Sequence, residues 1–223
     1  RIYMKIAGLD LSITSSGVSI LTLDDKLNVT NTESFGFTER RKYSTDNIVF
    51  YNNDDFRDHY DKFVFMFKYI LDWVKDCDYI AVEDYAMGST GATGMIFDLG
   101  EFEGFIKLSL FNQGKKLRFY AINSIKKFWT GYGLSDKISM YNAFVNFKGL
   151  KPDISQFKPV TNGHGAKTIS DIVDSFAIVM MLLTELQYRN KLKKIETDVD
   201  KAIFLGAKKN PGVLSHNFIE KLK

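Results

Sequence analysis

Four acidic residues stand where a folded chain ordinarily keeps apolar ones, and acids so placed are the side chains here best able to do chemistry. Asp10 ends the apolar run Ile6-Ala-Gly-Leu-Asp10, and Glu83 lies at the end of a second, Asp78-Tyr-Ile-Ala-Val-Glu-Asp-Tyr85. Asp171 and Asp174 open a third apolar segment, which runs to Arg189. A carboxylate taken out of water loses its hydration and requires hydrogen bonds, a paired cation or a metal in return. At i and i+3, Asp171 and Asp174 share one face of a helix. Converging without basic partners close in sequence, the four would repel strongly, and Mg2+, which prefers carboxylate and water oxygens, suits that need. Two such ions roughly 4 Å apart activate a water and stabilise a leaving oxygen in phosphodiester hydrolysis.

Three of these acids also have a plainer use. Asp10 precedes the small-residue run Ser12 to Gly17 and is equally well read as the cap of a turn. Asp171 and Asp174 could complement the dipole of a helix start, the commoner use of such residues. Against that use, Asp174 lies where the helix is otherwise wholly apolar. His164, in a Gly-rich loop, competes poorly as a ligand or base.

The elements that must position these residues follow an α/β order. The strand ending at Asp10 and the run from Val18 to Leu23 form a hairpin with the acid near its open end. Lys26 to Phe37 completes an antiparallel meander, and Thr38 to Asn53, with Arg40, Arg41 and Lys42, reads as a solvated surface loop. Apolar residues from Phe56 to Val74 recur at helical spacing, which predicts a long amphipathic helix over 54–74. After the strand ending in Glu83, the loop Gly88 to Gly94 leads into a helix over 95–111, where Gly100 and Gly104 leave room for close approach. That loop lacks both the Gly-Lys-Ser/Thr ending of a phosphate cradle and dinucleotide-binding spacing. A strand over 116–122, a short helix over 123–129 capped by Asn123 or Ser124, and a helix to about Phe147 capped by Ser135 follow. Lys148 to Lys167 reads as a loop, and Ser170 to Arg189 as a strongly apolar helix.

Composition bounds the rest. With 223 residues, 45% hydrophobic and 14% aromatic, one domain with a proper core is expected, read as 1–189 followed by an extension over 190–223 of undefined structure. The single cysteine, Cys77, excludes an internal disulfide and reads as packing in a reducing compartment. A net charge of +3 permits a polyanionic partner without requiring one. No signal peptide, bilayer-spanning run or lipidation motif is seen, so the expectation is no membrane and a cytoplasmic location, bacterial or in a phage-infected host, with an organelle left open.

Taken together, the residues resemble the RuvC-type Holliday junction resolvases of the ribonuclease H-like superfamily. The resemblance rests on Gly8-Leu-Asp10 followed by Ser16-Gly17, and on Val82-Glu83 with the glycine-bearing helix that includes Leu99 to Phe105. It continues in Tyr120-Ala-Ile-Asn-Ser-Ile-Lys126, Gly131-Tyr-Gly133 with Lys137 after it, and Asp171-Ile-Val-Asp174-Ser-Phe-Ala-Ile178. It spans roughly residues 5 to 185. It implies a ribonuclease H-like mixed sheet, an antiparallel meander then parallel strands, flanked by helices. It also implies a homodimer, formed through helix 95–111, that nicks four-way DNA junctions symmetrically to leave 5'-phosphate and 3'-hydroxyl ends. Two Mg2+ ions per site, with Mn2+ as a substitute, would be held by Asp10, Glu83, Asp171 and Asp174, with Asp10 bridging both. Lys126 and Lys137 match lysines that face DNA at the active site, and Lys127 and Lys167 are further candidates for DNA contact. An aromatic residue after the glutamate often stacks on junction bases; the matching place here is near Ala86, which leaves Tyr85 as the candidate. The stretches 38–53 and 190–223 exceed what a compact member needs. Three other readings compete. They are another nuclease of the same fold, an actin-like phosphotransferase whose second phosphate loop and adenosine motif are not found, and a silent junction-binding protein.

Overall fold

Side-chain alternation in the first strand divides the molecule into two layers. In β1, Met4–Asp10, Ile6 enters one core while Ala7 and Leu9 enter the other. Around it lie β2 (Gly17–Leu23), β3 (Val29–Thr38), β4 (Ile48–Phe50), β5 (Tyr79–Glu83) and β6 (Lys116–Tyr120). They form one six-stranded sheet in the order β4-β3-β2-β1-β5-β6. β1, β2 and β3 pair antiparallel, whereas β5 joins β1, and β6 joins β5, in parallel. The computed structural model describes residues 3–84, 93–157 and 167–221.

The helices α1 (His59–Trp73) and α2 (Thr93–Asn112) cover one face; α3 (Ile122–Thr130), α4 (Lys137–Asn146) and α5 (Lys167–Arg189) cover the other. The mixed sheet flanked by helices is the ribonuclease H-like architecture expected. Cys77 is buried beneath α1, and burial pushes its thiol up to about 12, in keeping with a packing role.

Several local expectations shift for identifiable reasons. α1 starts at His59 because Asp58 caps it, accepting from the Asp61 amide at 2.9 Å. Asn52 caps a separate turn before it, Asn53–Asp55. Neither Asn123 nor Ser124 caps α3, which begins at Ile122 after Ala121. Asp136, not Ser135, caps α4, accepting from the Ser139 amide at 2.8 Å, while Ser135 bonds the Thr130 hydroxyl at 2.6 Å.

The stretch 38–53 is not simply a solvated loop. β4 adds to β3 in parallel at the sheet edge, and Tyr43, Ile48 and Tyr51 are buried, while Arg40, Arg41 and Lys42 are exposed. The residues after Asn190 also take definite places. Phe204 is fully buried against Tyr188, and Ile219 bridges to Leu117 on the outer side of β6, with N–H···O distances of 2.8 and 2.9 Å.

Candidate active site

The site begins with glycines. A Cβ on Gly8 would lie 2.4 Å from the Ser175 carbonyl oxygen, and one on Gly17 would lie 2.2 Å from that of Asp171. Only bare backbone at these two positions lets α5 settle directly on β1 and β2. Buried hydroxyls fix its height: Ser19 contacts Ser34 at 2.7 Å and Ser175 at 2.9 Å, and Thr168 donates to the Phe37 carbonyl at 2.9 Å.

That seating carries two acids to the end of the sheet where two more already stand. Asp10 pairs with Gly17 across the hairpin. In the parallel pair β1 and β5, Leu9 lies opposite Val82, so Asp10 and Glu83 are the next residues at the carboxyl ends of neighbouring central strands. Ligand sites of open α/β sheets lie at that end. α5 begins at Lys167, which places Asp171 and Asp174 beyond its first turn and removes the helix-start explanation for both. Asp171 is buried and accepts from the Ser15 hydroxyl, while Ser170 hydrogen-bonds Asp174.

The electrostatics record the convergence. Burial pushes Asp10 well above the usual carboxylate range, and the charges of Asp171, Asp174 and Glu83 push it further, with Lys137 opposing. Glu83 rises to about 7, first through burial and then through Asp174 and Glu103, with Lys126 and Lys107 opposing. Asp174 rises to about 6 by burial, against Lys137, Lys126 and the Ser170 bond. The four acids named from sequence therefore share one electrostatic site, and Lys126 and Lys137 border it. Carboxylates whose charges act on one another at the end of the sheet, with Asp10, Glu83 and Asp174 held above the usual range, are a donor set that fits hard divalent cations.

Some supporting residues were not read from the sequence. Ser15 and Ser170 act on the two aspartates of α5, and buried Glu103 and Lys107 form a 2.7 Å ion pair on α2 beside Glu83. The i, i+4 spacing of that pair was the available signal. Tyr51 donates to the Thr14 carbonyl, so the edge segment 38–53 steadies the turn between Asp10 and Gly17. Tyr85 and His164 lie outside the described residues, as does the side chain of Lys167; Lys127 lies on α3, directly after Lys126. A separate group, His59 with Asp98 and Glu101, brings its ligand atoms within 4.8 Å of one another; His59 and Glu101 are exposed and Asp98 is half-buried.

Comparison with solved structures decides the fold. Thermus thermophilus RuvC superposes with a TM-score of 0.51 at 16% identity, over 84% of this chain and 96% of that one. The chain has a RuvC-type, ribonuclease H-like fold. T. thermophilus RuvC in complex with a Holliday junction substrate matches with a TM-score of 0.54 at 17% identity, over 84% of this chain and 96% of that one. The yeast mitochondrial Holliday junction resolvase matches at 0.50 and 12% identity, over 86% and 85%. No protein-family model matches the chain, and no curated protein does. Among the described residues, no helix is long and apolar enough to cross a membrane.

Proposed function

We propose that the protein is a metal-dependent Holliday junction resolvase, a DNA endonuclease that makes paired symmetric nicks in four-way junctions and leaves 5'-phosphate and 3'-hydroxyl ends. The observation that carries this reading is the charge of Asp171, Asp174 and Glu83 acting on buried Asp10, and of Asp174 on Glu83, at the carboxyl end of the sheet, bordered by Lys126 and Lys137. It is supported by a fold shared with a structure described as a Holliday junction complex.

In this reading Asp10, Glu83, Asp171 and Asp174 would hold two Mg2+ ions, or Mn2+ in their place. When bound, the ions supply an activated water and charge stabilisation at the leaving oxygen. Ser15 and Ser170 orient the carboxylates of α5. Lys126 and Lys137 bring positive charge to the phosphate and to the charge that develops on it. Tyr85, Lys127 and Lys167 are assigned to DNA contact, Tyr85 by stacking on an unpaired base.

Paired nicks require two sites, and α2 offers the surface to join them. Phe97 and Leu108 are 68% and 59% exposed, and Gly100 and Gly104 lie between them on the same helix face, with no described atom within 4 Å of an added Cβ. Small residues flanked by exposed apolar ones suit close packing against the same helix of a second copy. We place the protein in a reducing compartment, the cytoplasm or an organelle, which a buried, lone thiol at Cys77 fits.

Labelled four-way junctions, duplexes and RNA–DNA hybrids, incubated with and without Mg2+, test the reading. Symmetric, Mg2+-dependent cleavage of the junction that Asp10→Asn abolishes is the expected result. Equal cleavage of all three substrates would assign the site to another nuclease activity of this fold.

A further inference from the structure

Residues 190–223 hold eight of the chain's 30 lysines and arginines but only four of its 27 aspartates and glutamates. The preceding 189 residues therefore carry 22 basic against 23 acidic side chains, and the whole positive excess belongs to the extension.

Its placement is fixed by a buried ion network. Glu185 is fully buried and bonds Arg118 at 2.5 and 3.0 Å, Arg189 at 2.7 Å and the Tyr120 hydroxyl at 2.6 Å. Donors left over on the two arginines reach the extension: Arg118 bonds the carbonyls of His216 and Asn217 at 3.0 and 3.2 Å, and Arg189 that of His216 at 2.5 Å. Both guanidinium groups also stack on Phe218, 4.5 and 5.2 Å from its ring centre. An extension anchored at so many points presents its charges in a set geometry.

Between the extension and α3 runs a cleft of about 740 Å3, lined among others by Asp84, Asn123, Lys127, Asn210, His216 and Asn217. Asp84 directly follows Glu83, so the cleft includes the residue next to the acidic site. Asn210 and Pro211, on its other wall, form one arm of a two-stranded hairpin with Gly206 and Ala207, whose turn is the exposed pair Lys208 and Lys209. The lining holds Asn123, Asn210 and Asn217 with one acid, Asp84, and one lysine, Lys127, while Lys208 and Lys209 stand on the hairpin turn next to Asn210. Amides and cations so placed suit a phosphodiester backbone, which is bound through charge and hydrogen bonds without regard to sequence.

We infer that the extension is a clamp for the DNA backbone, with Lys208 and Lys209 on the hairpin and Lys127 on α3 holding a strand that lies in this cleft beside the acidic site. The inference rests on the nuclease reading and adds a second binding surface to it. Because α3 carries both Lys126 and Lys127, a strand in the cleft would be held in fixed relation to the acids.

The test measures four-way junction binding by fluorescence anisotropy over a salt series, in an Asp10→Asn background that keeps the DNA intact, with cleavage followed separately in the otherwise unaltered chain. The double variant Lys208→Ala/Lys209→Ala should weaken binding several-fold and reduce the salt slope by about 2, close to one per lost phosphate contact. A control, Lys26→Ala/Lys68→Ala, removes the same charge from exposed positions on the β2–β3 turn and α1 and should leave both quantities unchanged. If the junction is bound and cut but the two double variants behave alike, the clamp is overturned and the nuclease reading stands. If the unaltered chain with Mg2+ neither binds nor cuts the junction, both fall.

Discussion

Gly17 and Asp171 meet backbone to backbone: a Cβ on the glycine would sit 2.2 Å from the Asp171 carbonyl oxygen. The contact joins the hairpin that carries Asp10 to the helix that carries Asp171 and Asp174, so the spacing of three of the four acids depends on the absence of a single methyl group. Gly17→Ala should therefore destabilise the protein by about 3 kcal/mol or more, since the obstructing atom is backbone and cannot swing aside. Denaturant unfolding measures this, and an unchanged midpoint would contradict the packing described.

Asp10→Asn should abolish cleavage and raise the melting temperature of the metal-free protein. Burial and three neighbouring acids make a charge at Asp10 unfavourable, and a neutral amide of the same shape removes that repulsion. Calorimetry in EDTA beside a cleavage assay checks both halves; a lower melting temperature would show that the acids are not pressed together.

Stability without metal should fall as the pH rises from about 5 to 8. Glu83 and Asp174 titrate near 7 and 6 in the folded chain, above the values near 4 expected when unfolded, so between those limits the native state binds more protons and loses stability as they leave. Mg2+ should flatten the dependence by taking over the protons' role. Thermal melts across this range in EDTA and in Mg2+ test it, and a rising profile in EDTA would sink the account.

Arg118→Ala should cost about 3 kcal/mol, because it leaves the carboxylate of Glu185 buried with fewer partners and releases the carbonyls of His216 and Asn217. Proteolysis should then begin in the extension while residues 1–189 persist. Simultaneous loss of both parts would instead make the extension integral to the core.

Leu108→Glu should yield a folded monomer, because the side chain is 59% exposed on the α2 face assigned to the dimer. Sedimentation velocity reads the outcome, together with loss of paired, but not single, nicks. A dimer that survives this substitution and Phe97→Glu would place the interface elsewhere.

The sequence by itself determined the layers and the acids. Strand and helix periodicities are local properties, so the meander, the later strands and the helices could be read from spacing, though not the parallel pairing, and an acid at the end of an apolar run is conspicuous wherever it falls. It also held the motif resemblance that implied a RuvC-type fold. What it left open for Asp10 was whether the carboxylate caps a turn or joins a charged site, because its own strand supports both.

Only the tertiary structure decided that question, by seating α5 on Gly8 and Gly17 so that acids 161 and 164 positions away from Asp10 in sequence press on its charge. The supporting residues were hidden for the same reason. Ser15 and Tyr51 read as ordinary loop residues until the fold brings them to Asp171 and Thr14. Residues 190–221 lack periodicity because their order comes from Arg118, Glu185 and Arg189 in the body of the protein. Long-range burial and charge exist only once the chain has closed on itself, and no local pattern encodes them.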